Sequence, residues 1–176
     1  LCYDSCGRPR DGKMTRCRVC LDKVAKINLA WKKRTGYNSN DAKIKAKAKV
    51  VPNVDPSDEQ NYMEALKSGV AHAKGTYFPG DRGNIYMFAH STDNPLNVLR
   101  YNAVFFLLKE MEPQDEVDVY FDGVKHRYFV TEKKIIEPND LSYISPTNLQ
   151  GEEQLVLQTC WPPGTILKRL VVLAKK

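Results

Sequence analysis

Ile44, Ala46, Ala48 and Val50 alternate with Lys43, Lys45, Lys47 and Lys49, a period of two that predicts a strand with one apolar face and one lysine face. Four like charges along one face also discourage edge-to-edge pairing. The pattern then changes. Residues 57–69 read as a short helix: Ser57 caps the free amides and Gln60, three later, completes a capping box. Tyr62, Met63 and Leu66 supply its apolar stripe and Gly69 its stop. A turn at Pro79-Gly80 leads into a compact apolar strand over 84–89 that ends at His90. Residues 98–111 are mostly apolar and helical in part. Residues 116–121 and 125–136 read as a hairpin turned by Asp122-Gly123. A second strand pair, 154–159 and 166–174, flanks Trp161-Pro162-Pro163-Gly164. Upstream, 21–34 has helical composition and 35–40 reads as a linker, with Gly36 and an Asn-Ser-Asn run. Short strands, frequent turns and few helices favour a closed β-barrel or a sandwich.

Composition changes this picture at the N-terminus only. A chain of 176 residues with 42% hydrophobic content suits one domain, or one domain with a small appendage. The formal net charge is +6, and the excess sits in residues 1–50, so a basic-protein argument for nucleic acid applies to the head alone. No run of about eighteen apolar residues is present, so no spanning helix is expected. The organisation expected is a Cys-rich basic head over 1–40 and a β domain over 41–176.

The five cysteines divide as four and one. Cys2, Cys6, Cys17 and Cys20 form a C-x3-C-x10-C-x2-C cluster that suits a tetrahedral thiolate zinc site, with Gly7 and Gly12 allowing tight knuckles. The alternative is two disulfides, which an extracellular location favours. The basic stretch 23–34, with Trp31, offers contact to nucleic acid or anionic lipid, against the plainer reading of a solvated helix face. Cys160 stands apart, where an apolar strand meets the Pro-Pro-Gly turn. It is either a nucleophile or a buried thiol.

Two residues suit a nucleophile there. His90, delivered at the end of a strand, is placed for acid–base work, with His72 in a loop and His126 on a hairpin strand as competitors. Arg169 shares a face with Val171 and Leu173 in the strand after Cys160, and a cation in an apolar strand is costly unless paired or functional. The tight turn can return it to Cys160, where a guanidinium can donate to an oxyanion. Lys168 is its competitor.

The run Leu157-Gln158-Thr159-Cys160 followed by Arg169 resembles the sortase signature of Thr-Leu-x-Thr-Cys and a later Arg. Phe88-Ala89-His90-Ser91 resembles the sortase His segment, and 126–131 with 135–140 resembles a strand pair and turn of that family. Val156 stands for the usual Thr, Ala89 stands where many members have Gly, and the turn before Arg169 is short. These departures leave the subclass open. The resemblance implies a mainly β fold, a closed eight-stranded barrel with short helices. It implies a transpeptidase that cuts a Leu-Pro-x-Thr-Gly-like sorting signal through a thioacyl intermediate. By the same resemblance Cys160 is the nucleophile, His90 the acid–base and Arg169 the oxyanion stabiliser, with Thr159, Ser91 and Trp161 against the substrate. The partners implied are surface proteins with a C-terminal sorting signal and an amine acceptor from a peptidoglycan precursor or a pilin lysine, at the outer face of a bacterial membrane. No cofactor is expected for catalysis, and zinc only as a structural ion in the head. The rivals are a cysteine hydrolase that uses water as acceptor and a non-catalytic module whose working part is the zinc head.

Overall fold

The computed structural model describes residues 25–32, 42–91, 104–145 and 151–176. Eight strands follow one another as β1 (Ala25–Lys32), β2 (Ala42–Val54), β3 (Val70–Ala73), β4 (Gly83–Phe88), β5 (Glu116–Phe121), β6 (Val124–Ile136), β7 (Glu153–Trp161) and β8 (Lys168–Lys175). One α-helix, α1 (Glu59–Ser68), separates β2 from β3, and a 3-10 helix, Val104–Glu110, precedes β5. The strands pair in the order β1-β2-β3-β4-β7-β8-β6-β5, and β1 also pairs antiparallel with β5, so the curled sheet returns on itself. Two joins, β2–β3 and β4–β7, are parallel, each bridged by a longer connection.

The local sequence explains most of these elements. In β2 Lys47 and Lys49 are exposed while Ala48 and Val50 are buried, as the alternation requires. The β5–β6 hairpin turns at Asp122 and Gly123, both with positive φ (53° and 76°), the backbone that matches the twist of paired strands. On its outer face Arg127 Nε lies 2.9 Å and Lys125 Nζ 2.7 Å from Asp118, which ties the two strands across the pair.

Three expectations are corrected. Ala25–Lys32 is a strand, not a helix: it pairs with β2 and β5 and buries Ile27 in the core. The cap of α1 is Asp58, whose carboxylate accepts from the Asn61 amide at 3.1 Å. Ser57 instead donates to Asp55 through its amide and hydroxyl, at 3.0 and 2.6 Å. Asp55 thereby wins the local competition for donors, and its carboxyl is held down to about 2, chiefly by the Ser57 hydroxyl and Lys74. Met63 is exposed, and the buried face of α1 is Ala65 and Leu66 with Tyr62 half-buried. The cysteine cluster of Cys2, Cys6, Cys17 and Cys20 lies outside the described residues. Among the described residues no helix is long and apolar enough to cross a membrane.

Two apolar clusters lie on opposite faces of the β4-β7-β8 sheet. The main core fills the inside with Ile85, Met87, Leu155, Leu157, Leu170 and Val172, among others. The outer face carries Ala73, Tyr86, Val156, Val171 and Leu173, over which Tyr143 and Ile144 pack from the segment following β6. Asn84 fastens that segment, donating through Nδ2 to the carbonyls of Ser145 (2.9 Å) and Tyr143 (3.4 Å). Beside the Asn84–Gln154 pair, Glu153 accepts from Tyr128 (2.5 Å) and the Gly80 amide (2.9 Å) and pairs with Lys176 (2.6 Å).

Gly69 ends α1 where the chain passes β2, and a Cβ there would stand 2.2 Å from the Lys49 carbonyl oxygen. That neighbour is strand backbone and cannot swing aside. Gly69→Ala is therefore expected to lose about 1–3 kcal/mol, the usual cost of overpacking, and to lower the melting temperature by several degrees. An unchanged midpoint in thermal unfolding would contradict the close approach.

Candidate active site

The β7–β8 register sets Cys160 directly opposite Arg169. Residues directly opposed in an antiparallel pair project to the same face. In β7 the buried Leu155, Leu157 and Thr159 belong to the inside, so Gln158 and Cys160, both half-buried, belong to the outside. Cys160 is a free thiol. On its other side β4 runs parallel to β7 with Phe88 beside Gln158. The ladder continues one step further, since the Ala89 amide donates to the Gln158 carbonyl at 3.2 Å. Two residues beyond Phe88 and Gln158 stand His90 and Cys160. Three neighbouring strands thus bring a histidine, a cysteine and an arginine to one row at one end of the sheet.

The groups are held by different means. Arg169 donates through Nη1 to the carbonyls of Ile166 (3.0 Å) and Lys168 (3.1 Å), so its guanidinium is fastened to the loop before β8. His90 is half-buried, and burial pushes its imidazole below the ordinary range, which favours the neutral ring. The Tyr86 hydroxyl donates to Gln158 Oε1. Burial raises the Tyr86 phenol well above its usual value, with Arg169 pulling the other way and Asp140 adding to the rise.

The three residues expected against substrate fall in different places. Thr159 is buried on the inside, and its hydroxyl donates to the Ala89 carbonyl at 2.9 Å. It ties the residue just after β4 to β7 and so fixes the backbone on which His90 follows. Trp161 shares that face and packs, partly buried, against the main core. Ser91 is half-buried, and its Oγ is enclosed without a hydrogen-bond partner among the described residues. The competing histidines are placed elsewhere. His72 lies in β3 rather than a loop. It is fully buried, with Nδ1 accepting from the Asn53 amide (3.3 Å), Nε2 2.8 Å from the Tyr77 carbonyl and its ring stacked on Phe78. His126 is half-exposed on β6, and burial lowers its imidazole as well. Lys168 pairs with Glu137 at 3.2 Å. Sequence reasoning passed over Tyr86 and Gln158. Their signal was the same two-residue period, which puts Gln158 on the Cys160 face.

A family model described as the sortase domain matches residues 42–176. The chain belongs to the sortase family. It is similar to Sortase D of Bacillus subtilis (strain 168), with 29% identity over 159 residues, covering 86% of this chain and 70% of that protein. Among solved structures it resembles a Clostridium perfringens Sortase D5 transpeptidase, at 21% identity and a TM-score of 0.62, with 88% of this chain and 78% of that chain covered. It likewise resembles sortase C-1 from Actinomyces oris, at 20% identity and a TM-score of 0.64, with 85% and 71% covered. This sortase is accordingly a cysteine transpeptidase with a mainly β, sortase-like fold.

Two consequences of the geometry can be measured on this sortase. Thr159→Val keeps the shape but leaves the Ala89 carbonyl without its 2.9 Å donor, so a loss of about 1–3 kcal/mol is expected in denaturant unfolding. Unaltered stability would mean the hydroxyl tie is dispensable. The His90 ring should titrate below the free-imidazole value of about 6.5 in the unliganded protein, followed by NMR of the imidazole protons. A value above that figure would rule out desolvation as the dominant influence.

Proposed function

We propose that this sortase cleaves a Leu-Pro-x-Thr-Gly-like sorting signal between Thr and Gly and transfers the acyl part to an amine. The observation that carries this reading is the direct cross-strand pairing of Cys160 with Arg169 at the row where β4 delivers His90. The Cys160 thiolate attacks the Thr carbonyl carbon, and the carbonyl π pair moves onto oxygen. Arg169 exchanges its hold on the loop carbonyls for the developing oxyanion, a charge-assisted bond replacing neutral ones. The tetrahedral species collapses, the C–N bond breaks and protonated His90 gives its proton to the departing amine. A Cys160 thioester remains. An incoming amine attacks that thioester, His90 takes its proton and an amide is formed as the thiolate leaves. No oxidant or cofactor enters this balance. The acceptor proposed is a peptidoglycan-precursor amine or a pilin lysine, and the setting is the outer face of a bacterial membrane.

The direct test is incubation with a library of Leu-Pro-type peptides, first alone and then with an added amine. Mass spectrometry should find an acyl adduct on Cys160 and, with amine present, the ligated peptide. Cys160→Ala should lose both, with turnover down by about a thousandfold or more. Adducts confined to other residues, or hydrolysis with no ligated product, would contradict the proposal.

The pH dependence carries a sign. Productive attack needs the pair to have lost one proton, so the rate falls on the acid side as that proton is restored. Because burial holds His90 low, that loss is expected at a pH below the ordinary imidazole range. The alkaline limb reflects loss of the second proton from the pair, and the profile is bell-shaped. A flat kcat/KM between about pH 5 and 10 would remove the assignment.

A further inference from the structure

Gln158 is a polar side chain in a largely apolar setting, two residues short of the row of reacting groups. It stands on the Cys160 face of β7 and is half-buried. Phe88 of β4 and Val171 of β8 are its paired neighbours, and Tyr86 pairs with Val156 two residues behind it. A primary amide in such a place costs free energy unless both of its ends find partners.

One end finds its partner within the protein. Oε1 accepts from the Tyr86 hydroxyl, a diagonal contact between adjacent strands. Among the described residues nothing accepts from Nε2, and Nε2 is not an enclosed orphan as the Ser91 hydroxyl is. It therefore opens to solvent. Tyr86 is buried in the outer cluster, and burial holds its phenol well above the usual value, so the hydroxyl keeps its proton and stays a donor at ordinary pH. Turning the amide over would leave that buried proton without its acceptor. Oε1 and Nε2 diverge from one carbon, so an amide whose oxygen is turned to Tyr86 presents its N–H pair away from it. Toward a molecule lying on the sheet, Gln158 can then only donate.

A peptide extended along the row shows both main-chain carbonyls and N–H groups. A side chain that can only donate has no use for the N–H groups and selects a carbonyl. We propose that Gln158, held by Tyr86, donates from Nε2 to a main-chain carbonyl of the acyl donor next to the one that Cys160 attacks, and so holds the peptide in place over the thiol. Gln158 binds substrate in this scheme, and Tyr86 is a positioning residue that acts through it. The inference deepens the transpeptidase reading and rests on it. The carbonyl engaged does not react, so the bond holds in the ground and transition states alike and shows in KM rather than kcat.

The test is steady-state ligation kinetics with one Leu-Pro-type peptide from the library at saturating amine. Gln158→Met keeps the length of the side chain but has no N–H, and should raise KM by about five- to tenfold with kcat within about twofold. Tyr86→Phe keeps the ring and frees the amide to turn, so KM should rise by a smaller factor, about two- to threefold. The double variant should match Gln158→Met alone, because the phenol acts only through the amide. Alkylation of Cys160 by iodoacetamide should proceed at the parent rate in all three, which reports an intact thiol site. An unchanged KM in Gln158→Met, with the parent turning over, would overturn the inference and leave the transpeptidase reading standing. So would a double variant whose KM rises by the full product of the two single factors, which would make Tyr86 an independent structural residue. Slower alkylation with a fallen kcat would overturn it too, since Gln158 would then be shaping the thiol site. A parent that forms no Cys160 thioester would sink the transpeptidase reading and this inference with it.

Discussion

The arrangement of the site depends on one register. If β7 and β8 slipped by a single residue, Arg169 would oppose Thr159 or Trp161, whose side chains belong to the inside of the barrel. The slip is opposed by apolar residues on both faces. Leu155 and Leu157 of β7 and Leu170 and Val172 of β8 fill the main core, while Val156, Val171 and Leu173 fill the outer cluster. A displaced register would push both sets toward the wrong neighbours. The stability of the core and the alignment of the reactive row are thus the same constraint.

The outer face is apolar at its middle, through Tyr86, Val156, Val171 and Leu173, and polar toward both ends, with Asn84 and Gln154 at one and Gln158, Cys160 and Arg169 at the other. Tyr143 and Ile144 cover the apolar part, and Asn84 anchors them. Gln158, Cys160 and Arg169 begin where that cover stops. An extended peptide lying on the row would therefore be bounded on one side by the strap and on the other by the loop that holds Arg169.

Most strands were legible because their periods are local. The Lys/apolar alternation of β2 and the Asp122-Gly123 turn act over a few residues and need no partner to be recognised. The first strand was misread because Ala, Lys and Leu are good helix formers. Yet Ala25, Ile27 and Leu29 alternate with Lys26, Asn28 and Ala30, and pairing with β2 and β5 overrode composition. The helix cap moved by one residue because Asp55 captured Ser57 first. At the site, the positions of His90, Cys160 and Arg169 could be read from motif order. The orientations of Thr159 and Trp161 follow from Cys160 by alternation: if the cysteine faces outward, its two neighbours cannot. What no local pattern could reveal was the strap over the outer cluster, which joins residues remote in the chain.

The contacts between Arg169 and the carbonyls of Ile166 and Lys168 make the connection ahead of β8 a surrogate solvent. These two main-chain acceptors occupy Nη1 before any ligand arrives, so engagement of a ligand there would swap one set of acceptors for another. The ease of that exchange is then written into loop geometry. Relatives that share the arginine but differ in how many residues precede it would release it with different readiness, without any change in the reacting atoms.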